Sequence, residues 1–195
     1  MTIYFTSDQH FAHQSILQHC YRPFSSIQEQ DETLIENHNK VVQPTDTIYM
    51  LGDVAWKLNI DQLKILFKKL NGIKRVILGN HDNVSYLRNL ANQRVIESLH
   101  DTCGVTINGQ YIWLSHYPHR AWDRSFHGSW QLAGHTHGNC EPYGKSCDVG
   151  IDCWNYTPVS FEELKSLMDK LHQVNAEDRV NTRWFGKKCT IIKSV

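Results

Sequence analysis

Carboxylate, imidazole and amide side chains recur at short spacings in the chain: Asp8-Gln9-His10, Asp53, Asn80-His81, His116 and His135-Thr136-His137. All donate electron pairs to borderline or hard divalent cations such as Mn, Fe, Zn, Ni or Co. In Asp-x-His and His-x-His on an extended backbone, the two donors face the same side, because alternate residues of a strand do. Each pair can then reach one ion or two neighbouring ions. Asp8, His10 and His137 suffice for one cation, and Asn80, His116 and His135 for a second, with Asp53 shared between them. With a bridging hydroxide each ion has five ligands. Two ions about 3.5–4 Å apart are the usual device for in-line displacement at phosphorus. Only Asp8 and Asp53 bring formal negative charge, so two divalent ions leave a net positive centre that attracts a phosphate ester and steadies charge developing on it. The expectation is two divalent metal ions, manganese favoured, hydrolysing phosphate esters.

Positioning these groups falls to the strands that precede them. Lys74-Arg75-Val76-Ile77-Leu78 is an apolar run that empties into Gly79-Asn80-His81-Asp82. Thr2-Ile3-Tyr4-Phe5-Thr6 leads to Ser7-Asp8, Thr47-Ile48-Tyr49-Met50-Leu51 to Gly52-Asp53, Tyr111-Ile112-Trp113-Leu114 to Ser115-His116, and Trp130-Gln131-Leu132-Ala133 to Gly134-His135. In a layered α/β fold, strand ends along one edge converge on a common crevice. Between the strands, the pattern predicts a short helix from Gln14 to Cys20, stopped before Pro23. It predicts a second helix from Asp31 to Val42, with Leu34, Ile35, His38 and Val41 on one face, and a third capped by Asn59 and ended near Gly72. Strand, helix, strand, helix, strand argues for a largely parallel first sheet. Asn108-Gly109 between two apolar runs is a hairpin signal, and with short strands at Gly-rich turns it suggests a second, more antiparallel sheet. Cys147–Ile151 reads as a further strand. Ser160 and Glu163 form a capping box before a last helix, and Cys189-Thr190-Ile191-Ile192 reads as an edge strand.

Taken in order, Asp8-Gln9-His10, Gly52-Asp53, Gly79-Asn80-His81-Asp82, Ser115-His116 and Gly134-His135-Thr136-His137 resemble the calcineurin-like metallophosphoesterases. The resemblance implies a four-layer α/β/β/α sandwich with two mixed sheets, a dinuclear metal site, and hydrolysis of phosphomonoesters or phosphodiesters. It assigns the metal ligands as counted above, and makes His81 a proton donor to the leaving oxygen or a stabiliser of the transition state. One departure stands out. Gly52-Asp53-Val54-Ala55-Trp56-Lys57-Leu58 lacks the second Asp and the Arg that the protein Ser/Thr phosphatase branch carries there. A protein phosphatase is disfavoured, and Asp82 or a backbone carbonyl is left to orient His81. The opening Asp8-Gln9-His10-Phe11-Ala12-His13 is more similar to small bacterial or phage phosphoesterases, whose substrates are often undefined.

The rest of the chain bounds the function. Its 195 residues suit one domain, 1–195, and the formal net charge is zero, which removes any overall attraction to long nucleic acid or acidic membrane. A small phosphate ester or nucleotide is the expected substrate; oligomeric state is left open. No apolar run reaches membrane-spanning length and no leader precedes the first strand, so a cytoplasmic location is expected. The six cysteines then read as reduced thiols. His13, Arg22 and Arg120 are candidate substrate contacts, the arginines because guanidinium matches phosphate in a fork; Arg124 is a weaker one. His119 and His127 read as members of a mobile loop. Zinc held by Cys140, Cys147, Cys153 and His137 fits poorly by spacing. Trp122, Trp130 and Trp154 could stack on a base, with core packing expected for at least two. Three other readings compete: a nuclease or cyclic-nucleotide phosphodiesterase, a non-catalytic metal-binding scaffold, and a zinc-structured interaction module.

Overall fold

A computed structural model describes residues 1–173. In chain order the first half comprises β1 (Ile3–Thr6), α1 (Ile16–His19), α2 (Ile27–Val41), β2 (Thr47–Met50), α3 (Ile60–Lys69), β3 (Ile73–Ile77), α4 (Val84–Asn92) and β4 (Ser98–His100). The second half adds β5 (Thr102–Ile107), β6 (Gln110–Ser115), β7 (Trp130–Ala133), β8 (Ser146–Asp148), β9 (Val159–Ser160) and α5 (Phe161–Met168). The edge strand expected at Cys189-Thr190-Ile191-Ile192 lies outside the described residues.

Two mixed sheets result. The first runs β4-β3-β2-β1-β9, parallel throughout except for the β1–β9 pair. The second runs β5-β6-β7-β8. Its β5–β6 hairpin is antiparallel, turning through Asn108 (φ 49°) and Gly109 (φ 82°), the left-handed pair that a two-residue hairpin needs. β6–β7 and β7–β8 are parallel, which corrects the expected antiparallel character. The segments after β6 and β7 are crossovers, long enough to bring the chain back to the starting edge. The C-terminal ends of β6, β7 and β8 therefore share one edge, as those of β1, β2 and β3 do in the first sheet.

β2 is buried on both faces, as its unbroken apolar sequence requires. On one face, Ile48, Met50 and Val76 meet Leu34 of α2, Leu63 and Phe67 of α3, and Leu87 and Leu90 of α4. On the other, Phe5, Tyr49, Leu51 and Ile77 meet Ile112, Leu114, Trp130 and Leu132 of the second sheet. Phe161, Leu164 and Met168 of α5 join that inter-sheet core. Each such side chain contributes about 1.5–3 kcal/mol by leaving water. The two sheets are thus held face to face with their functional edges aligned.

Helix α2 begins four residues before the expected Asp31, at Ile27, because the Ser26 hydroxyl accepts the Glu29 amide and caps it. Helix α4 was not expected from the sequence; it is capped by Asn83, whose side chain accepts the Tyr86 amide. Among the described residues no helix is long and apolar enough to cross a membrane.

Candidate metal centre

Strand alternation does not aim the proposed ligands. β1 stops at Thr6 and β7 at Ala133, before the residues in question. Instead Asp8 (φ 58°), His10 (φ 53°), Asp53 (φ 55°), His135 (φ 70°) and His137 (φ 48°) all adopt the left-handed backbone region. A non-glycine residue held there stores on the order of 1–3 kcal/mol, and such strain persists where the surroundings over-determine it. Here the loops are zipped together: Asp8 N donates to Gly52 O (3.0 Å), His10 N to Asp53 O (3.0 Å) and Phe11 N to Val54 O (2.9 Å). Two glycines permit the approach. A Cβ on Gly79 would lie 2.2 Å from Asp53 Oδ1, and one on Gly134 would lie 2.3 Å from Asp8 Oδ2.

The loops gather the donors into two clusters. Ligand atoms of Asp8, His10 and His137 lie within 4.8 Å of one another, as do those of Asp53, His116 and His135. Asn80 Oδ1 is 3.0 Å from His116 Nε2. Asp53 Oδ2 faces both clusters, 3.7 Å from His10 Nε2 and 3.4 Å from His116 Nε2. Each cluster draws on both sheets, so the centre spans the seam between them.

The outer nitrogens of three of these histidines are already committed. His116 Nδ1 sits 2.8 Å from Leu51 O, which can only accept, so Nδ1 carries a proton and Nε2 is the nitrogen turned inward. His137 Nδ1 is 2.7 Å from Asp152 Oδ2 with the same consequence. His10 Nδ1 is 3.1 Å from His13 Nδ1, and His13 Nε2 is 3.1 Å from Ser15 Oγ. With His10 Nδ1–H donating to His13 Nδ1 and His13 Nε2–H donating to Ser15 Oγ, both rings stay neutral and His10 Nε2 is left bare. Fixing the far nitrogen so that the near one presents a lone pair is how proteins orient metal-binding imidazoles.

What those lone pairs face is the decisive point. Asn80 Oδ1 and Asp53 Oδ2 converge on His116 Nε2 at 3.0 and 3.4 Å, and Asp8 Oδ1 and His10 Nε2 are buried without a hydrogen-bond partner. Buried acceptors without donors are costly; a cation satisfies all of them together. The residues therefore fit divalent metal. Titration agrees. Burial pushes the Asp8 carboxyl up to about 6, and burial drives His10 down, so the His10–Asp53 approach is that of a neutral ring. Asp53 stays below the usual carboxylate range despite burial, held by the His116 ring and the His81 amide. His116 and His137 are raised against the pull of burial, His116 by Asp53 and His137, to about 10, by Asp152. In each case positive charge on the imidazole edge is favoured.

Some expected contacts have other work. Arg22 is buried, and its five N–H groups go to Asp152 Oδ1 and Oδ2, Asp8 O, Gln9 O and Gln30 Oε1 at 2.7–2.9 Å. No donor remains for a substrate, which corrects its expected role: Arg22 positions Asp152, and Asp152 positions His137. His13 likewise braces His10 and stacks on Trp56 (4.3 Å between ring centres). Arg120 lies over the Tyr143 ring at 4.1 Å and Arg124 over Tyr111 at 4.7 Å. The His119 backbone is clamped by Gln131, which accepts its N–H and donates to its carbonyl, so this part of the loop is pinned. Trp122 and Trp130 are buried, as expected for core residues.

His81 stands at the rim with its side chain 35% exposed, Nε2 3.9 Å from Asp53 Oδ2. Asp82 does not orient the ring. Its carboxylate accepts the amides of Asp53, Val54 and Gly79 and so ties two ligand loops together. Trp56 is the group against the imidazole, edge to face at 4.8 Å. Sequence reasoning missed Trp56 and Asp152. The first follows Asp53 by three residues; the second lies beyond β8, the strand end whose polar residues had drawn no attention. Cys20 joins His137 and Asp152 within 4.8 Å, a grouping the cysteine spacings did not suggest.

Fold and site together define an α/β protein with two mixed sheets, carrying histidines and carboxylates that could hold metal at the common strand edge. The chain is 36% identical over 176 residues to the uncharacterized protein MJ1445 of Methanocaldococcus jannaschii, covering 86% of this chain and 92% of that protein, and it belongs to that protein's family. It is also similar to the Gene 66 protein of Mycobacterium phage L5, at 28% identity over 92% of this chain and 98% of the relative. Among solved structures, the protein of unknown function AQ665 from Aquifex aeolicus superposes with a TM-score of 0.68 at 26% identity, covering 85% of this chain and 98% of its own. No family model matches the chain.

Proposed function

We propose that the chain is a metal-dependent phosphoesterase of the calcineurin-like type. Asp8, His10 and His137 would hold one divalent cation and Asn80, His116 and His135 a second, with Asp53 common to both; manganese is the first candidate. Such a pair supplies Lewis-acid activation of a phosphate ester and of the water that attacks it. The observation that carries the reading is the gathering of donors into two clusters, Asp8–His10–His137 and Asp53–His116–His135, each with its ligand atoms within 4.8 Å of one another, beside the buried and unpartnered Asp8 Oδ1 and His10 Nε2.

The protein's own contribution is to hold and protect. Leu51 O, His13 and Asp152 keep three imidazoles turned inward. Low formal charge in the ligand set leaves the loaded centre positive, which favours an anionic ester. His81, exposed at the rim beside Asp53, is placed to give a proton to the leaving oxygen. The substrate class is a small phosphate ester or nucleotide, since the chain's zero net charge gives no overall attraction to long nucleic acid. The same reading carries the four-layer sandwich, the single domain and a cytoplasmic setting. The five described cysteines, all free, suit a reducing compartment.

The test is metal content together with turnover. Protein loaded with Mn, Zn, Ni or Co and passed through a desalting column is expected to retain two equivalents and to hydrolyse aryl phosphates. Asp53→Asn is expected to lose both. Retention of two equivalents without hydrolysis of any ester would make the protein a metal-binding scaffold instead; no metal uptake would sink the centre itself.

A further inference from the structure

Two cavities flank Asn80. One, of about 550 Å³, opens on the His81 side, between Trp56, Lys57 and Asn59 on one wall and Asn83 and Tyr86 on the other. The second, of about 360 Å³, opens on the His116 side, against Thr102, Tyr117 and His119. Asn80 lines both. Each lies in the size range of small-ligand sites.

We propose that the substrate is a phosphodiester whose two arms occupy these two cavities, with a planar, nucleobase-sized ring on the leaving arm in the Trp56–Tyr86 cavity. The inference rests on the phosphoesterase reading and narrows it. If His81 protonates the leaving oxygen, the leaving arm must lie on the His81 side, and the cavity there is the larger. A monoester has one arm and would leave the His116-side cavity empty.

Charge points the same way. A phosphomonoester near neutrality carries nearly two negative charges, a diester one, and guanidinium forks are the usual complement to the extra charge. Among the candidate arginines, Arg22 has every N–H committed to protein acceptors, and Arg120 and Arg124 rest over the rings of Tyr143 and Tyr111. The larger cavity has the chemistry of a ring site. Trp56 and Tyr86 supply aromatic surface. The Lys57 ammonium rests over the Trp56 ring at 5.0 Å, so an incoming ring can displace it toward ring oxygens or phosphate. Asn59 and Asn83 spend their carbonyl oxygens on capping α3 and α4, which leaves their NH₂ groups as donors to ring acceptors.

The experiment compares bis(4-nitrophenyl) phosphate with 4-nitrophenyl phosphate on the Mn-loaded full chain, in the wild type, Lys57→Ala and Tyr86→Ala. The wild type is expected to favour the diester in kcat/KM by about tenfold or more. The variants are expected to raise KM for the diester about fivefold or more, as loss of a stacking or cationic partner does, with kcat little changed. A merely structural role would lower kcat for both esters together. Lys57 is exposed, so its variant keeps the test valid if Tyr86→Ala misfolds. Equal or better turnover of the monoester, or a diester KM unmoved by Lys57→Ala, overturns this proposal while leaving the phosphoesterase reading intact. No turnover of either ester overturns both.

Discussion

Asp152 is among the best-connected residues of the centre and is not one of the proposed ligands. It accepts a fork from Arg22 at 2.8 Å and holds His137 Nδ1 at 2.7 Å. Asp152→Asn keeps the shape but weakens the grip on the imidazole. Partners of this kind typically cost about 10–100-fold in metal affinity when lost; a chelator competition assay should read a loss in that range, and an unchanged affinity would mean that His137 is not a ligand. His81 makes the opposite prediction. Its ring stands at the rim against Trp56, 35% exposed, and its backbone amide donates to Asp53 Oδ1 at 2.9 Å. His81→Ala should therefore leave metal content unchanged and lower kcat by about 10²–10⁴, the range for a lost general acid. Metal analysis beside steady-state kinetics separates the two cases.

At the level of elements, α2 docks on the first sheet through a titratable residue. His38 is 3% exposed, with Nε2 2.9 Å from Asn71 O. Burial, aided by nearby Lys74, lowers it from 6.5 to about 4. Between those values the unfolded chain binds the proton and the folded chain does not. Stability from this group is thus complete above pH 6.5 and is lost as the pH falls toward 4, by at most about 3 kcal/mol. His38→Gln can still donate to Asn71 O but cannot titrate. The difference in unfolding free energy between wild type and His38→Gln, measured in urea, should rise in favour of the wild type from pH 4 to 6.5. A flat difference would mean that His38 is not excluded from water as the structure has it.

On the scale of the whole molecule, the centre is a clasp. Asp8, His10, Asp53 and Asn80 follow strands of the first sheet; His116, His135 and His137 follow strands of the second. Cations bound across that seam, as proposed, would stabilise only the folded state. At a hundredfold excess over the dissociation constant, one bound ion adds about 2.7 kcal/mol. For a chain of this length that is worth about 5–11 °C in Tm. Saturating Mn should raise the melting temperature by that much or more, EDTA should reverse it, and Asp53→Asn should blunt it. A Tm indifferent to metal would deny the clasp.

What the amino-acid sequence determined was local. Electron-pair donors stand just after apolar β-branched runs, so the ligand candidates and the strands that carry them were legible together, as were the Asn108-Gly109 turn and the Ser160 and Asn59 caps, since each depends on residues a few positions apart. Arg22 was misread as a substrate contact because its chief partner, Asp152, is 130 residues away. No local pattern announces that pairing; it exists only once β8 lies parallel to β7 and carries the chain past β1. The parallel character of the second sheet escaped for a related reason, because strand direction is set by the path of the crossovers. Tertiary structure also decided how the donors are aimed. Hydrogen bonds between loops help hold Asp8, His10, Asp53 and His135 in left-handed backbone, where His137 also lies. A sequence names its ligands by type, but their direction is a balance of strain and packing that only the folded chain can strike.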